Sequence, residues 1–429
     1  MSGTTIASVR GRRVWDSRGR PTVEAEVRLA GGASGRAIAP AGASTGSGEA
    51  VDLRDGGAAL GGLGVGRAVA AVNEVIAPAL AGLDAAEQAA LDAKLVALDG
   101  TPNKRRLGGN ALVAVSMAAA HAAAAARGIP LWKHLLGDAQ ALLPLPEVQL
   151  FGGGAHALGR IDLQDVMIMP LGAASFSEAM AWTAEVYRAA GLRLAKRGKL
   201  QGVADEGGYW PAFRHNIDAL AAAVEAIEDA GFKPGKDVAL SLDVAATQFR
   251  TKRWYMLARD RLKLDTMGLI GLYQMWFEQD FHIASIEDPM AETDESGLAA
   301  FTRQFGSKMQ IVGDDYLVTD AARVRRAAAA GICNAVLIKP NQAGTLTEAK
   351  AALDAGKEAG WGTIVSARSG ETEDVTIAHL AVGWRAGQLK VGSFARSERM
   401  AKWNEVLRIE ESLGRDARFA GRGALAVQP

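Results

Sequence analysis

Four residues set the chemistry open to this chain: Asp243, Glu287, Asp314 and Lys339. Each closes a short apolar run, at 238–242, 283–286, 309–313 and 335–338 respectively. The run 363–366 then leads to Arg368, and Gln388-Leu389 leads to Lys390. Three carboxylates at successive strand ends form a hard, oxygen-rich set of the kind Mg²⁺ prefers. One Asp after a strand reads as a helix cap. Three in register, followed by a Lys at the next strand end, read as a metal site with a base beside it. A bound dication disfavours the charged form of a neighbouring lysine, so the pKa of Lys339 is expected to fall and let it act as a base near neutral pH. The dication would stabilise the charge left when a proton departs from the carbon next to a carboxylate.

The elements that carry these residues follow from their intervals. The steps from Asp243 through Glu287, Asp314, Lys339 and Arg368 to Lys390 are 44, 27, 25, 29 and 22. A strand, a helix and two loops need about that length. Helical patterns fill the gaps, as at 321–330 and 346–359. The reading is a parallel α/β barrel of TIM type, with the polar residues converging at its C-terminal mouth. A doubly wound sheet is the competing architecture, but its phosphate-binding Gly fingerprint does not follow a first strand here. Ahead of the barrel, residues 4–41 alternate as strands, and 64–128 turn helical, with Pro78, Gly100 and Gly108-Gly109 as punctuation. That order predicts an α+β N-terminal domain over 1–140 and a barrel domain over 141–429, divided near Gly137, Pro144 and Pro146.

Composition narrows the classes. The chain has 429 residues, 49% hydrophobic and 22% charged, which fits a globular two-domain protein. Forty-eight basic residues balance 48 acidic ones, so overall charge favours neither nucleic acid nor an anionic membrane as a partner. The single cysteine, Cys333, excludes a disulfide framework and a thiolate metal site. The start Met1-Ser2-Gly3-Thr4-Thr5 lacks a signal-peptide pattern, so a cytoplasmic location is expected. The alanine-rich stretch 111–126, broken by Ser116 and His121, reads as a packed helix rather than a membrane span.

A set of short segments then makes the pattern specific. They are Asp16-Ser17-Arg18-Gly19, Gly42-Ala43-Ser44-Thr45-Gly46, Asp205-Glu206-Gly207-Gly208, Ser285-Ile286-Glu287-Asp288-Pro289 and Gly313-Asp314-Asp315. They continue with Lys339-Pro340-Asn341-Gln342, Arg368-Ser369-Gly370-Glu371-Thr372-Glu373-Asp374 and Ala395-Arg396-Ser397-Glu398-Arg399. In this order, over nearly the whole chain, they resemble the enolase family, in whose superfamily lysine working with Mg²⁺ is a known pattern. The resemblance implies two Mg²⁺ per site, a small phosphorylated carboxylate as substrate, and a homodimer or a higher assembly of dimers. Asp243, Glu287 and Asp314 would hold the first Mg²⁺, and Ser44 would help hold the second with the substrate phosphate. Lys339 matches the base that removes the C2 proton of 2-phosphoglycerate. Glu206 matches the acid that helps the C3 hydroxyl leave, and Lys390 the lysine near the substrate carboxylate. Arg368 and Ser369 match phosphate contacts, a task that suits the guanidinium fork. His156 matches the histidine of a closing loop.

The chain also departs from that family's pattern. Ala367 replaces a histidine before Arg368, which leaves a space expected next to Glu206. Asp165 replaces a glutamate and is one methylene shorter. Ala41 stands for serine, Ala204 for glycine, and Tyr209-Trp210 for small residues. These changes spare Lys339, Lys390, Arg368 and the metal ligands, and cluster around the leaving hydroxyl and the phosphate. A basic stretch at 250–263 reads as a solvated face, with a nucleotide-bearing substrate as its functional alternative. The leading expectation is an enolase-type lyase that dehydrates 2-phosphoglycerate or a close analogue to an enolpyruvate. One alternative is an enzyme of phosphonate natural-product biosynthesis, similar to carboxyphosphonoenolpyruvate synthase. The other is a non-catalytic binding protein on the same scaffold.

Overall fold

The computed structural model describes residues 3–43 and 46–427. The N-terminal part opens with three antiparallel strands, β1 (Ile6–Trp15), β2 (Pro21–Leu29) and β3 (Ser34–Ile38). Between β1 and β2, Asp16 Oδ1 accepts from the backbone N–H groups of Arg18 and Arg20 at 2.8 and 2.9 Å. Val23, Ala25 and Val27 alternate along β2 and are fully buried under the helix Gly109–Ala126. That helix approaches β3 so closely that a Cβ on Gly35 would lie 2.2 Å from the Ala122 nitrogen. Glycine on the strand and alanine on the helix are what let the two backbones meet. The helix is long and apolar enough to cross a membrane, yet 83% of it is buried inside the fold, the position of a core helix.

The remaining strands that matter close on themselves. In chain order they are β4 (Leu145–Gly152), β5 (Asp165–Met169) and β6 (Ala239–Asp243), then a small separate sheet of β7 (Arg250–Thr251), β8 (Trp254–Leu257) and β9 (Leu262–Leu264). They continue with β10 (Ile283–Glu287), β11 (Gln310–Gly313), β12 (Ala335–Ile338), β13 (Gly362–Ser366) and β14 (Gly387–Ser393). Eight of them form a closed barrel in the order β10-β11-β12-β13-β14-β4-β5-β6. The expected TIM-type barrel is therefore present, with one difference from the all-parallel reading. β5 runs antiparallel to both β4 and β6. The physical reason is the link 153–164, which holds only a 3₁₀ turn at Gly154–His156. A parallel return needs a crossover helix, and this link has none. The reversal matters for the site. It places Asp165, the first residue of β5, in register with Gly152 at the end of β4 and Asp243 at the end of β6.

The barrel interior is layered. At the end away from the mouth, Leu145, Met169, Leu171, Ala239, Ala284 and Leu425 pack into an apolar plug. Above it the amides of Gln310 and Gln388 bond each other reciprocally at 2.9 Å, and Gln310 also donates to Ser285. The charged groups sit above that layer. The two parts of the chain are pinned at the mouth by backbone bonds, including Ala41 N–H to Gly370 O at 2.9 Å and Ser17 N–H to Glu371 O at 2.8 Å.

Candidate active site

The strand ends bring together most of the residues the sequence singles out. Lys390, on β14, donates to Asp243 Oδ2 at 2.8 Å and to Glu287 Oε2 at 2.7 Å. Lys339, just after β12, donates to Asp314 Oδ2, whose other oxygen accepts from Gln342 at 2.9 Å. All five charged groups are buried. Burial pushes the Lys339 pKa down, but Asp314 and Glu287 outweigh it and leave it raised. The direct ion pair to Asp314 favours the ammonium; the lowered value expected from the sequence is that of Lys339 beside a bound dication. Lys390 is raised further against the same opposition from burial, by Asp243 and Glu287. Burial and the neighbouring Asp243 hold Glu287 well above the usual carboxylate range, with Lys390 opposing them.

A second group lies on loops. His156 Nδ1 is 3.0 Å from Asp165 Oδ1, and its Nε2 is 2.9 Å from Ser369 Oγ and 3.5 Å from Glu206 Oε1. Burial lowers the imidazole pKa, but the Glu206 and Asp165 carboxylates outweigh it and hold it at about 9. Glu206 is pushed up by burial, yet His156 and Arg399 bring it below the usual range. Ala367, His156, Glu206 and Lys390 line one cavity of about 20 Å³, room for about one water, with the His156 ring 3.5 Å from Glu206 Oε1.

The residues expected to meet a phosphate also lie at this mouth. Arg368, 4% exposed, donates to Glu49 at 2.9 Å and to Asn341 at 3.2 Å. Its carbonyl and that of Ser369 accept from the fully buried Arg399, which fixes the turn that presents Ser369. Ser44, expected at the second Mg²⁺, lies outside the described residues.

Several side chains that sequence reasoning gave no role belong to the site. Gln164 donates to Asp243 Oδ2 at 2.9 Å, and Gln342 to Asp314. Gln164 stands beside Asp165 and Gln342 closes the Lys339 segment, so position in or next to a marked segment was the available signal. Glu49 and Gln149 had none. Asp288 accepts from the backbone N–H groups of Asp314 and Asp315 at 3.0 and 2.8 Å, and so braces the Asp314 turn. The basic stretch is largely engaged elsewhere. Arg253 and Lys263 lie 4.8 and 4.7 Å from the Trp254 ring, Arg250 lies over Tyr255, and Arg259 donates to Gly159 O at 2.9 Å.

The donor set fits a hard cation. Asp243 and Glu287 are paired across adjacent strands. Glu287 Oε1 is buried with no hydrogen-bond partner among the described residues. A buried, unpaired carboxylate oxygen is costly, and an oxygen-seeking dication would satisfy it. Two acidic groups also gather ligand atoms within 4.8 Å of one another: His156, Asp165 and Glu206, and Asp288, Asp314 and Asp315.

Comparison with known proteins gives the same direction for both parts of the chain. Residues 140–428 match the family model described as "Enolase, C-terminal TIM barrel domain", and residues 6–135 match "Enolase, N-terminal domain". Among curated proteins, "Enolase 1" of Desulfitobacterium hafniense (strain Y51) is 46% identical over 430 residues, covering 100% of this chain and 98% of that protein.

Proposed function

This chain belongs to the enolase family and is a lyase of the enolase superfamily; from that premise we propose that it removes the C2 proton of 2-phosphoglycerate, or a close analogue, and dehydrates it to an enolpyruvate. The observation that carries this reading is the ring of Lys339, Asp314, Lys390, Asp243 and Glu287 at one barrel mouth.

Asp243, Glu287 and Asp314 would hold Mg²⁺, with Ser44 at a second ion. Bound there, Mg²⁺ would stabilise the negative charge that builds on the substrate carboxylate as the C2 proton leaves. Lys339 Nζ takes that proton once Asp314 is otherwise neutralised, because its ion-pair partner is what keeps it protonated. Lys390 offers its ammonium to the substrate carboxylate. Arg368 and Ser369 hold the phosphate, with the Arg368 fork kept in place by Glu49 and Asn341.

The second half of the reaction needs a proton at the C3 hydroxyl. Glu206 alone is held ionised by its cationic neighbours. We assign the proton to the His156–Glu206 pair, with the imidazolium as its reservoir at neutral pH. Asp165 orients that ring through Nδ1.

The test is direct. Purified protein with Mg²⁺ and 2-phosphoglycerate is followed by the ultraviolet absorbance of the enol product, alongside exchange of the C2 proton for deuterium. Turnover with exchange supports the assignment. Absence of both, with no Mg²⁺ binding, would sink it.

A further inference from the structure

Gln149 lies near the middle of β4 and is 1% exposed. Both ends of its amide are used. Its Oε1 accepts from the Gly208 backbone N–H at 2.8 Å, and its Nε2 donates to Asp165 Oδ1. A backbone N–H can only donate, so the amide has one allowed orientation: oxygen to Gly208, nitrogen to Asp165. Asp165 Oδ1 must therefore accept. As a carboxylate Asp165 has no hydrogen to give, so its other neighbour, His156 Nδ1 at 3.0 Å, carries the hydrogen between them. This leaves His156 Nε2 as the atom facing Ser369 and Glu206. Asp165 Oδ2 has no hydrogen-bond partner among the described residues and lies 4.0 Å from Lys390 Nζ.

The backbone is shaped around this amide. A Cβ on Gly208 would lie 2.5 Å from Gln149 Oε1, and one on Gly152 would lie 2.6 Å from Ala204 Cβ and 3.4 Å from Gln149 Nε2. The loop that carries Glu206 is bonded to the same strand, through Gly152 N–H to Tyr209 O at 2.9 Å and Tyr209 N–H to Leu150 O at 3.0 Å. Gln149 thus joins the start of β5 to the Glu206 loop, and joins both to the His156 ring.

We propose that Gln149 is a positioning residue: it fixes the hydrogen of His156 on Nδ1 and so aims Nε2 at the reacting side of the site. The proposal rests on the reading of His156 and Glu206 as the proton-handling pair. The charged groups that act on this ring are Glu206 from its loop, Asp165 from β5 and Asp243 from β6. Lys390 stands behind Asp165, and Arg399 behind Glu206.

The experiment uses the full chain with Mg²⁺, labelled with ¹⁵N-histidine, and reads the His156 ring nitrogens by NMR together with the pH dependence of kcat. Read above about pH 9, where the ring has lost its second proton, the wild type should show the Nδ1–H tautomer, with Nε2 bare. Gln149→Leu removes both amide bonds at similar size; it should mix the tautomers, move the ring's titration midpoint, and lower kcat about 10²-fold with KM changed less than about threefold. Gln149→Glu keeps the length but sets a carboxylate against Asp165. Its activity should recover as pH falls, because a neutral Glu regains the donor. A folded Gln149→Leu with an unchanged His156 tautomer and pH profile would overturn the proposal. If that variant does not fold, Gln149→Glu with an unshifted pH profile would overturn it instead. The NMR reading needs no substrate, so it stands or falls apart from the assignment of 2-phosphoglycerate.

Discussion

The two halves of the site are built from different material. Asp243 and Glu287 are the final residues of barrel strands, Asp314 and Lys339 follow theirs immediately, and Lys390 stands midway along its strand. His156, Glu206, Ala367, Arg368 and Ser369 stand on connecting segments, held by bonds to other segments. A strand end inherits its position from the barrel. A loop residue needs its own set of braces, which here are Gln149, Tyr209, Arg399 and the Asp165 carboxylate. The half that would make the enolised intermediate is thus set by the fold. The half that would expel the hydroxyl is set by side-chain contacts, and Ala367 and Asp165 both lie there.

That comparison breaks most sharply at its two proton-handling ends. Lys339→Met should lower both C2 exchange and product formation, toward the upper end of the 10²–10⁴-fold range of lost general-base catalysis. Deuterium exchange read by NMR checks this, and exchange within tenfold of wild type would move the base elsewhere. Glu206→Gln should separate the halves. Product formation should fall about 10³-fold, within the same range, while C2 exchange survives. Loss of both in parallel would mean that the two halves do not act apart.

The loop half should also have its own pH signature. The His156 pKa is raised in the folded chain to about 9, against about 6.5 unfolded. The stability it contributes is therefore fully present below about pH 6.5 and is lost as pH rises through 9, roughly 3 kcal/mol in all. Urea unfolding at pH 6 and pH 9.5 should show that loss in the wild type and not in His156→Asn. The strand half should respond to the ion instead. Mg²⁺ at a hundredfold excess over its Kd should add about 2.7 kcal/mol of stability. Glu287→Gln should abolish most of that gain in a thermal-shift titration, whereas His156→Asn should leave it intact.

The same division explains what was legible in the sequence. Strand-end carboxylates announce themselves, because an apolar run ending in Asp, Glu or Lys recurs at intervals that a βα unit fixes. The antiparallel β5 was not legible as such, since one missing helix in a long series looks like a long loop. The size of the cavity lined by Ala367, His156 and Glu206 was not legible either. It depends on where the His156 ring comes to rest, and that depends on Asp165, Gln149 and Ser369, which are far apart in the chain. Gln149 carried no sequence signal, because a single buried polar residue in an apolar run has many structural explanations, and Glu49 sits in a Gly- and Ser-rich loop where an acidic residue is ordinary.

The smallest expected effect tests whether the lid itself belongs to the loop half. Arg160, on the segment that carries His156, lies 5.2 Å from the Trp210 ring, and Trp210 Nε1–H donates to Gln201 O at 2.8 Å. The other side of the same segment is held by Asp162, which accepts from the Ala258 and Arg259 backbone N–H groups at 3.0 Å. A half-buried cation–π contact contributes about 0.5–1 kcal/mol. If it acts only to keep the segment closed, Trp210→Ala should raise KM about two- to fivefold, the equivalent of that energy, and leave kcat unchanged. Steady-state kinetics decide the matter. A fall in kcat beyond tenfold would show that Trp210 aims His156 rather than closing the loop over it, and the braces of the loop half would then extend to the surface.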